Sequence, residues 1–224
     1  MGNLNDFLPS VNGLHFSNDT WPNEPDLKIA GIPIGNASKG LCGGMAFAVA
    51  DLFAAGRLPP DGTENPPEGS GAFKFIVKRL IDSFNLPAGV AEYYEWMNLP
   101  TDNDDILGVI ALVGTAQRTI DGQMPKLRRM IDHGHPCPLG LITVSSHNPM
   151  DLGQNHQVLA YKYEDDGSTT TVWIYDCDSP DDDNVTITFQ TSNPSKAKFV
   201  DSTGMTVRGF FAVPYTPANP SPLF

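Results

Sequence analysis

Between residues 42 and 134 apolar side chains recur at helical spacing, and after Pro138 they gather into short runs of β-type residues. Met45–Ala55 is apolar almost all round, with Asp51 its one charge, which predicts a helix packed inside the protein and stopped by Gly56. In Ala72–Phe84 the residues Phe73, Ile76, Val77, Leu80, Ile81 and Phe84 mark one helical face. Further helices are predicted at 88–97, at 104–117 with Asp102 or Asn103 as N-cap, and at 123–132, where His133-Gly134 supplies the stop. Strands are predicted at Leu139–Ser145, His156–Tyr163, Thr170–Tyr175, Val185–Gln190 and Val207–Val213. Pro9, Pro22, Pro25 and Pro33, with glycines between, make the N-terminal segment read as irregular.

Helices first and strands second give an α+β fold, the helices gathered on one side of an antiparallel sheet. The expected organisation is a single domain over 1–224: an irregular segment at 1–35, a mainly helical part at 36–134 and an antiparallel sheet at 138–214. A 40% apolar composition supplies a core and excludes a wholly disordered chain.

Charge narrows the partners. Fourteen Lys and Arg against 26 Asp and Glu give −12, with no basic cluster, so neither a nucleic acid nor an anionic membrane surface is expected. No apolar run is long enough to span a bilayer, and the first residues carry no secretory signal, which makes a cytoplasmic location the default expectation. Three cysteines, Cys42, Cys137 and Cys177, do not make a disulfide framework.

Cys42 lies in Gly40-Leu41-Cys42-Gly43-Gly44-Met45, at the start of the buried helix, where the helix dipole favours a thiolate. The flanking glycines allow another backbone or a substrate to come close. His156 opens a strand that runs through Gly167 into a second strand ending at Tyr175-Asp176-Cys177-Asp178. With the turn near Gly167, opposed residues sum to about 334, so His156 shares a face with Asp176 and Asp178, and a one-residue slip would present Cys177 instead. A carboxylate beside an imidazole fixes its tautomer and supports its charged form. Asp132-His133-Gly134-His135-Pro136-Cys137 lacks a second ligand group elsewhere, and the acidic run after Asp176 lacks the glycine and closing glutamate of an EF-hand. Neither a metal nor a cofactor is expected.

In the order Cys, His, Asp, these segments resemble the papain-like cysteine peptidases, in particular the leader-processing peptidases and their relatives. The resemblance covers roughly 33–180. It implies a papain-like fold and a hydrolase acting on a peptide or amide bond, with Cys42 as nucleophile, His156 as base and Asp176 as orienter. The alternatives to it are an acyltransferase or amidase using the same triad, or an inactive papain-like binding protein. The Gln that usually stands six residues before the nucleophile, to help hold the oxyanion, is here Asn36. Gly43 replaces the Trp that follows the nucleophile in papain, and Cys177 replaces the Pro usual after the aspartate in leader peptidases. Cys42 and His156 are 156 − 42 = 114 residues apart, a more compact arrangement than the ~130–150 of the papain pattern.

Overall fold

The computed structural model describes residues 1–4, 6–21, 26–29, 32–36, 40–106 and 110–224, with the backbone alone at 20, 26–29, 32–36, 105–106 and 110–111. In chain order the elements are β1 (Gly2–Asn3), α1 (Pro9–Asn12), β2 (Asp26–Ile29), β3 (Ile32–Asn36), α2 (Cys42–Ala54), α3 (Gly71–Ser83) and α4 (Ala88–Asn98). They continue with β4 (Asp104–Ile106), β5 (Ile110–Leu112), α5 (Thr115–Arg118), α6 (Met124–Asp132), β6 (Cys137–Ile142), β7 (His156–Asp165) and β8 (Thr169–Tyr175). The last four are β9 (Thr186–Gln190), β10 (Phe199–Asp201), β11 (Thr206–Val207) and β12 (Gly209–Ala212). The class is α+β, as the order of helical and β-type patterns predicts. Among the described residues no helix is long and apolar enough to cross a membrane.

The main sheet is antiparallel, in the order β11-β10-β9-β8-β7-β6-β12, with β1 paired to the far end of β7. Its two outer strands are consecutive in the chain and only Arg208 separates them. One residue cannot cross a flat sheet of seven strands, so the sheet must curl until its edges meet, nearly closing a barrel. Phe189, Phe199 and Phe210 stack across this closure, with ring centroids 4.7–6.0 Å apart. Arg208 fills the corner and donates to Leu99 O (2.5 Å), Val144 O (2.7 Å) and Thr101 Oγ1 (3.0 Å). The single strand expected over Val207–Val213 is therefore two strands on opposite edges, broken where the sheet closes.

Two other expectations need correction. The segment 104–117 is not one helix: β4 and β5 pair with each other, and helix begins only at Thr115. Ile106, Val109, Ile110 and Val113 are β-branched and Gly108 interrupts them, a composition that suits paired strands better than a helix. The N-terminal part is not wholly irregular either. β1 adds to the main sheet, and β2 pairs with β3.

α2 is buried from Cys42 to Leu52, packed between α3 and β7. A Cβ at Gly44 would run into the carbonyl of Ile76, so the glycine is what lets α2 and α3 touch backbone to backbone. The close approach anticipated for these glycines is thus made by the protein's own helix. At the other end Gly56 turns at φ +62°, and Arg57 N–H returns to Leu52 O at 2.9 Å. Asp51, the one charge of α2, meets Arg79 of α3 with Nε–Oδ2 at 2.7 Å, and also accepts from Tyr215 Oη and Ala218 N–H, both at 2.8 Å. This buried network joins both helices to the C-terminal tail.

Breaking a buried pair strands the remaining charge. Asp51→Ala is expected to lower stability by about 3–5 kcal/mol, and adding Arg79→Met should recover part of that loss. Urea unfolding measures both; a loss below about 1 kcal/mol would give the pair no more weight than an exposed one.

Candidate active site

Cys42 is the first residue of α2, and Met45 N–H donates to Leu41 O to open the helix. The amides of the first turn point out of the helix end without intrahelical partners, beside the thiol. α2 is held against β7, and His156 is the first residue of β7. From His156 to Tyr161 every residue of β7 is buried; burial alternates only beyond that. The site therefore lies at the end of β7 that is covered on both faces.

The aspartate arrives by register. Leu159 pairs with Tyr175 and Ala160 with Ile174, which fixes the sum of 334 at the site end of the hairpin. A bulge between Ala160 and Lys162 moves the rest of the ladder by one residue. The chain leaves β8 at Tyr175, and Asp176 begins a turn in which Ser179 N–H donates to Asp176 O at 3.0 Å.

His156 Nε2 lies 2.7 Å from Asp176 Oδ1 and 3.9 Å from Asp178 Oδ2. Of the two aspartates the sequence left open, Asp176 is the one in hydrogen-bonding contact with the ring. Asp176 Oδ1 also accepts from Asp178 N–H at 3.0 Å. Cys42 hydrogen-bonds the same imidazole. With Nε2 committed to Asp176, Nδ1 is the ring atom left for the sulfur.

The electrostatics follow from this geometry. Burial disfavours an imidazolium at His156, but the charges and hydrogen bonds of Asp176 and Cys42 outweigh it and hold His156 well above its ordinary value. Burial likewise opposes ionisation of Asp176, yet the His156 charge and the Asp178 amide hold its carboxyl below the usual carboxylate range. The arrangement is thus an ion pair inside the protein, with the thiol of Cys42 against its cationic end.

The other predicted positions fall out differently. The backbone of Asn36 ends β3 opposite Asp26, and its side chain lies outside the described residues. Cys177, expected to face away without a register slip, stands close to the site because strand alternation ends at Tyr175. His156, Asp176, Cys177 and Asp178 each bring one potential ligand atom within 4.8 Å of the others, the only such grouping among the described residues. Burial, and then the charges of Cys42, Asp178 and Asp176, push the Cys177 thiol well above its ordinary value. Cys137 is buried in β6 and pushed up to about 12, and all three cysteines are free. His133 caps α6, its Nδ1 2.6 Å from Arg129 O, and Asp132 accepts from Tyr163 Oη.

The sequence reading missed Asn18 and Gln157. Asn18, from the N-terminal segment, hydrogen-bonds the Asp178 side chain while its N–H donates to Cys177 O at 3.0 Å. Gln157 and Tyr93 join Cys42 around a cavity of about 20 Å³. Gln157 follows His156 directly in the sequence, which is the one signal that could have marked it.

No known protein family, no curated protein and no solved structure matches this chain.

The raised His156 means that its contribution to stability is complete below the ordinary histidine value and is lost as pH rises through the folded-state value. The lowered Asp176 acts in the opposite sense, contributing above the usual carboxylate value and losing that contribution as pH falls through its own. NMR of the His156 ring should therefore show a charged imidazole well above pH ~6.5. Asp176→Asn should bring that titration down, because burial then acts with less opposition. A ring that titrates at the ordinary value in the wild-type protein would contradict the assignment.

Proposed function

We propose that the chain is a thiol-dependent amide hydrolase of papain-like type, with Cys42, His156 and Asp176 as its catalytic triad. The observation that carries this reading is the position of His156, 2.7 Å from Asp176 on one side and hydrogen-bonded to Cys42 on the other. A helix terminus, a cationic imidazole and a carboxylate behind it are the ingredients that turn a cysteine into a nucleophile.

The Cys42 thiolate attacks the carbonyl carbon of a peptide or amide substrate. Negative charge moves to the carbonyl oxygen, which the free amides at the start of α2 stabilise, with Asn36 as the further donor implied by the family pattern. His156 gives its proton to the leaving amine, the C–N bond breaks, and an acyl thioester remains on Cys42. The now neutral His156 takes a proton from water, whose oxygen attacks the thioester; the acid leaves and the thiolate–imidazolium pair returns. Asp176 keeps the ring oriented throughout and supports its charge in the resting state and after deacylation. No step requires a metal or cofactor.

Cys137 and Cys177 provide internal controls, since burial keeps both thiols protonated. Iodoacetamide at neutral pH, followed by peptide mapping, should label Cys42 well ahead of the other two. Cleavage of a peptide library, read by mass spectrometry, should vanish in Cys42→Ala and fall by about 10²–10⁴-fold in His156→Ala. Equal labelling of all three thiols, or cleavage that survives Cys42→Ala, would reject the proposal.

A further inference from the structure

His156, Asp176, Cys177 and Asp178 bring an imidazole nitrogen, a thiol and two carboxylates within 4.8 Å of one another, and the proposed hydrolysis uses only His156 and Asp176 of them. Neighbours on a strand point to opposite faces, so three consecutive side chains reach one ring only because the chain turns there. Asp178 N–H donates to Asp176 Oδ1 and Ser179 N–H to Asp176 O, both at 3.0 Å, which folds 176–179 back toward His156.

The donor set suits one class of ion. Imidazole nitrogen with thiolate sulfur favours zinc over magnesium or calcium, and carboxylates can complete a tetrahedron. Zinc bonds of about 2.0–2.3 Å place neighbouring ligand atoms roughly 3.3–3.5 Å apart. His156 Nε2 is 3.9 Å from Asp178 Oδ2, and Cys177 Sγ is 3.9 Å from Asp178 Oδ1, so small side-chain rotations close both edges. Nε2 and Asp176 Oδ1 stand 2.7 Å apart because a proton joins them, and that edge must open by about half an ångström when a metal takes the proton's place. Asp176 also has a second oxygen to offer: Oδ2 is buried and accepts no hydrogen bond among the described residues. The ligand residues are held from behind. Asn18 hydrogen-bonds the Asp178 side chain, and its N–H donates to Cys177 O at 3.0 Å. The other nitrogen of the His156 ring is engaged by Cys42, as metal-bound imidazoles ordinarily engage a second partner. His156, Asp176 and Cys177 are buried, but the Asp178 side chain is 31% exposed and gives an ion a way in from solvent.

We propose that His156 Nε2, Cys177 Sγ and the carboxylates of Asp176 and Asp178 bind a zinc ion that switches the site off. Binding sends the Nε2 proton and the Cys177 thiol proton to solvent, so two positive charges leave as one dication arrives. The imidazole then keeps a single proton, on Nδ1 beside Cys42. Giving that proton to a leaving amine would create an imidazolate, so zinc-bound His156 cannot serve as general acid and acylation stops. The metal site follows from ligand geometry alone, whereas its inhibitory effect rests on the hydrolase reading.

Cobalt(II) reports such a site directly, because a thiolate bound to it gives a near-ultraviolet charge-transfer band and added zinc displaces it. The reduced full chain should bind one cobalt ion with this band. Cys42→Ala should keep the band, Cys177→Ala should lose it, and Asp178→Asn should weaken zinc in competition by at least about tenfold. Asp178 is partly exposed, so this last variant decides the matter even if Cys177→Ala does not fold. In the wild-type chain, zinc at the concentration that displaces cobalt should suppress peptide cleavage by tenfold or more, and EDTA should restore it. Asp178→Asn, compared with itself with and without zinc, should lose less. No thiolate band, a band that vanishes in Cys42→Ala and persists in Cys177→Ala, or zinc affinity and inhibition unchanged in Asp178→Asn would overturn the site. If cleavage is seen and no band forms, the metal site fails alone; if the band behaves as stated but nothing is cleaved in EDTA, the hydrolase reading fails, taking the inhibition with it, and the metal site stands.

Discussion

A charged imidazole inside a protein is costly unless opposite charge surrounds it at hydrogen-bonding distance. At His156 that requirement is met by Asp176 at 2.7 Å, Cys42 hydrogen-bonds the same ring, and much of the fold serves to bring these three groups together. They belong to separate segments. Cys42 is fixed by a helix buried on all sides, His156 by the first rung of a central strand, and Asp176 by the residue at which the next strand stops. A shift of one residue in the β7–β8 ladder, or a side chain on Gly44, would separate them.

The acidic loop that carries Asp176 is itself restrained. Ser10 reaches Asp183 through both its N–H and its hydroxyl at 2.8 Å, His15 meets Asp181 at 2.6 Å, and Asn18 holds Cys177 and Asp178. The N-terminal segment thus acts as a strap across the back of the site. Without it, a loop with four aspartates between 178 and 183 would repel itself away from the sheet. This also gives a physical reason for Ser10, His15 and Asn18 to be held in place despite Pro9 and Gly13 beside them.

What the sequence shows and what it hides divide along local and distant interactions. The start of α2, the strand at His156 and the carboxylate after Tyr175 are written in local patterns, and the opposing sum of 334 follows from a turn at Gly167. The bulge after Ala160 leaves that sum intact at the site end, which is why the pairing argument survives there. The closure of the sheet at Arg208 leaves no such trace, because it depends on strands distant in sequence. The same holds for Tyr93, whose place in a helical pattern reads first as core packing. In 104–117 local signals mislead: aliphatic residues at mixed spacing satisfy a helical template while their β-branching favours paired strands.

In the proposed reaction sulfur, imidazole and carboxylate act as a unit within one cleft. The most direct measurement is a crystal structure of the protein after reaction with a peptide aldehyde. The account predicts a hemithioacetal on Cys42 Sγ, its oxygen directed at the first amides of α2, and His156 Nδ1 within hydrogen-bonding distance of the adduct while Nε2 keeps Asp176. An adduct on Cys177, or an unmodified Cys42 with His156 turned away from it, would contradict the account.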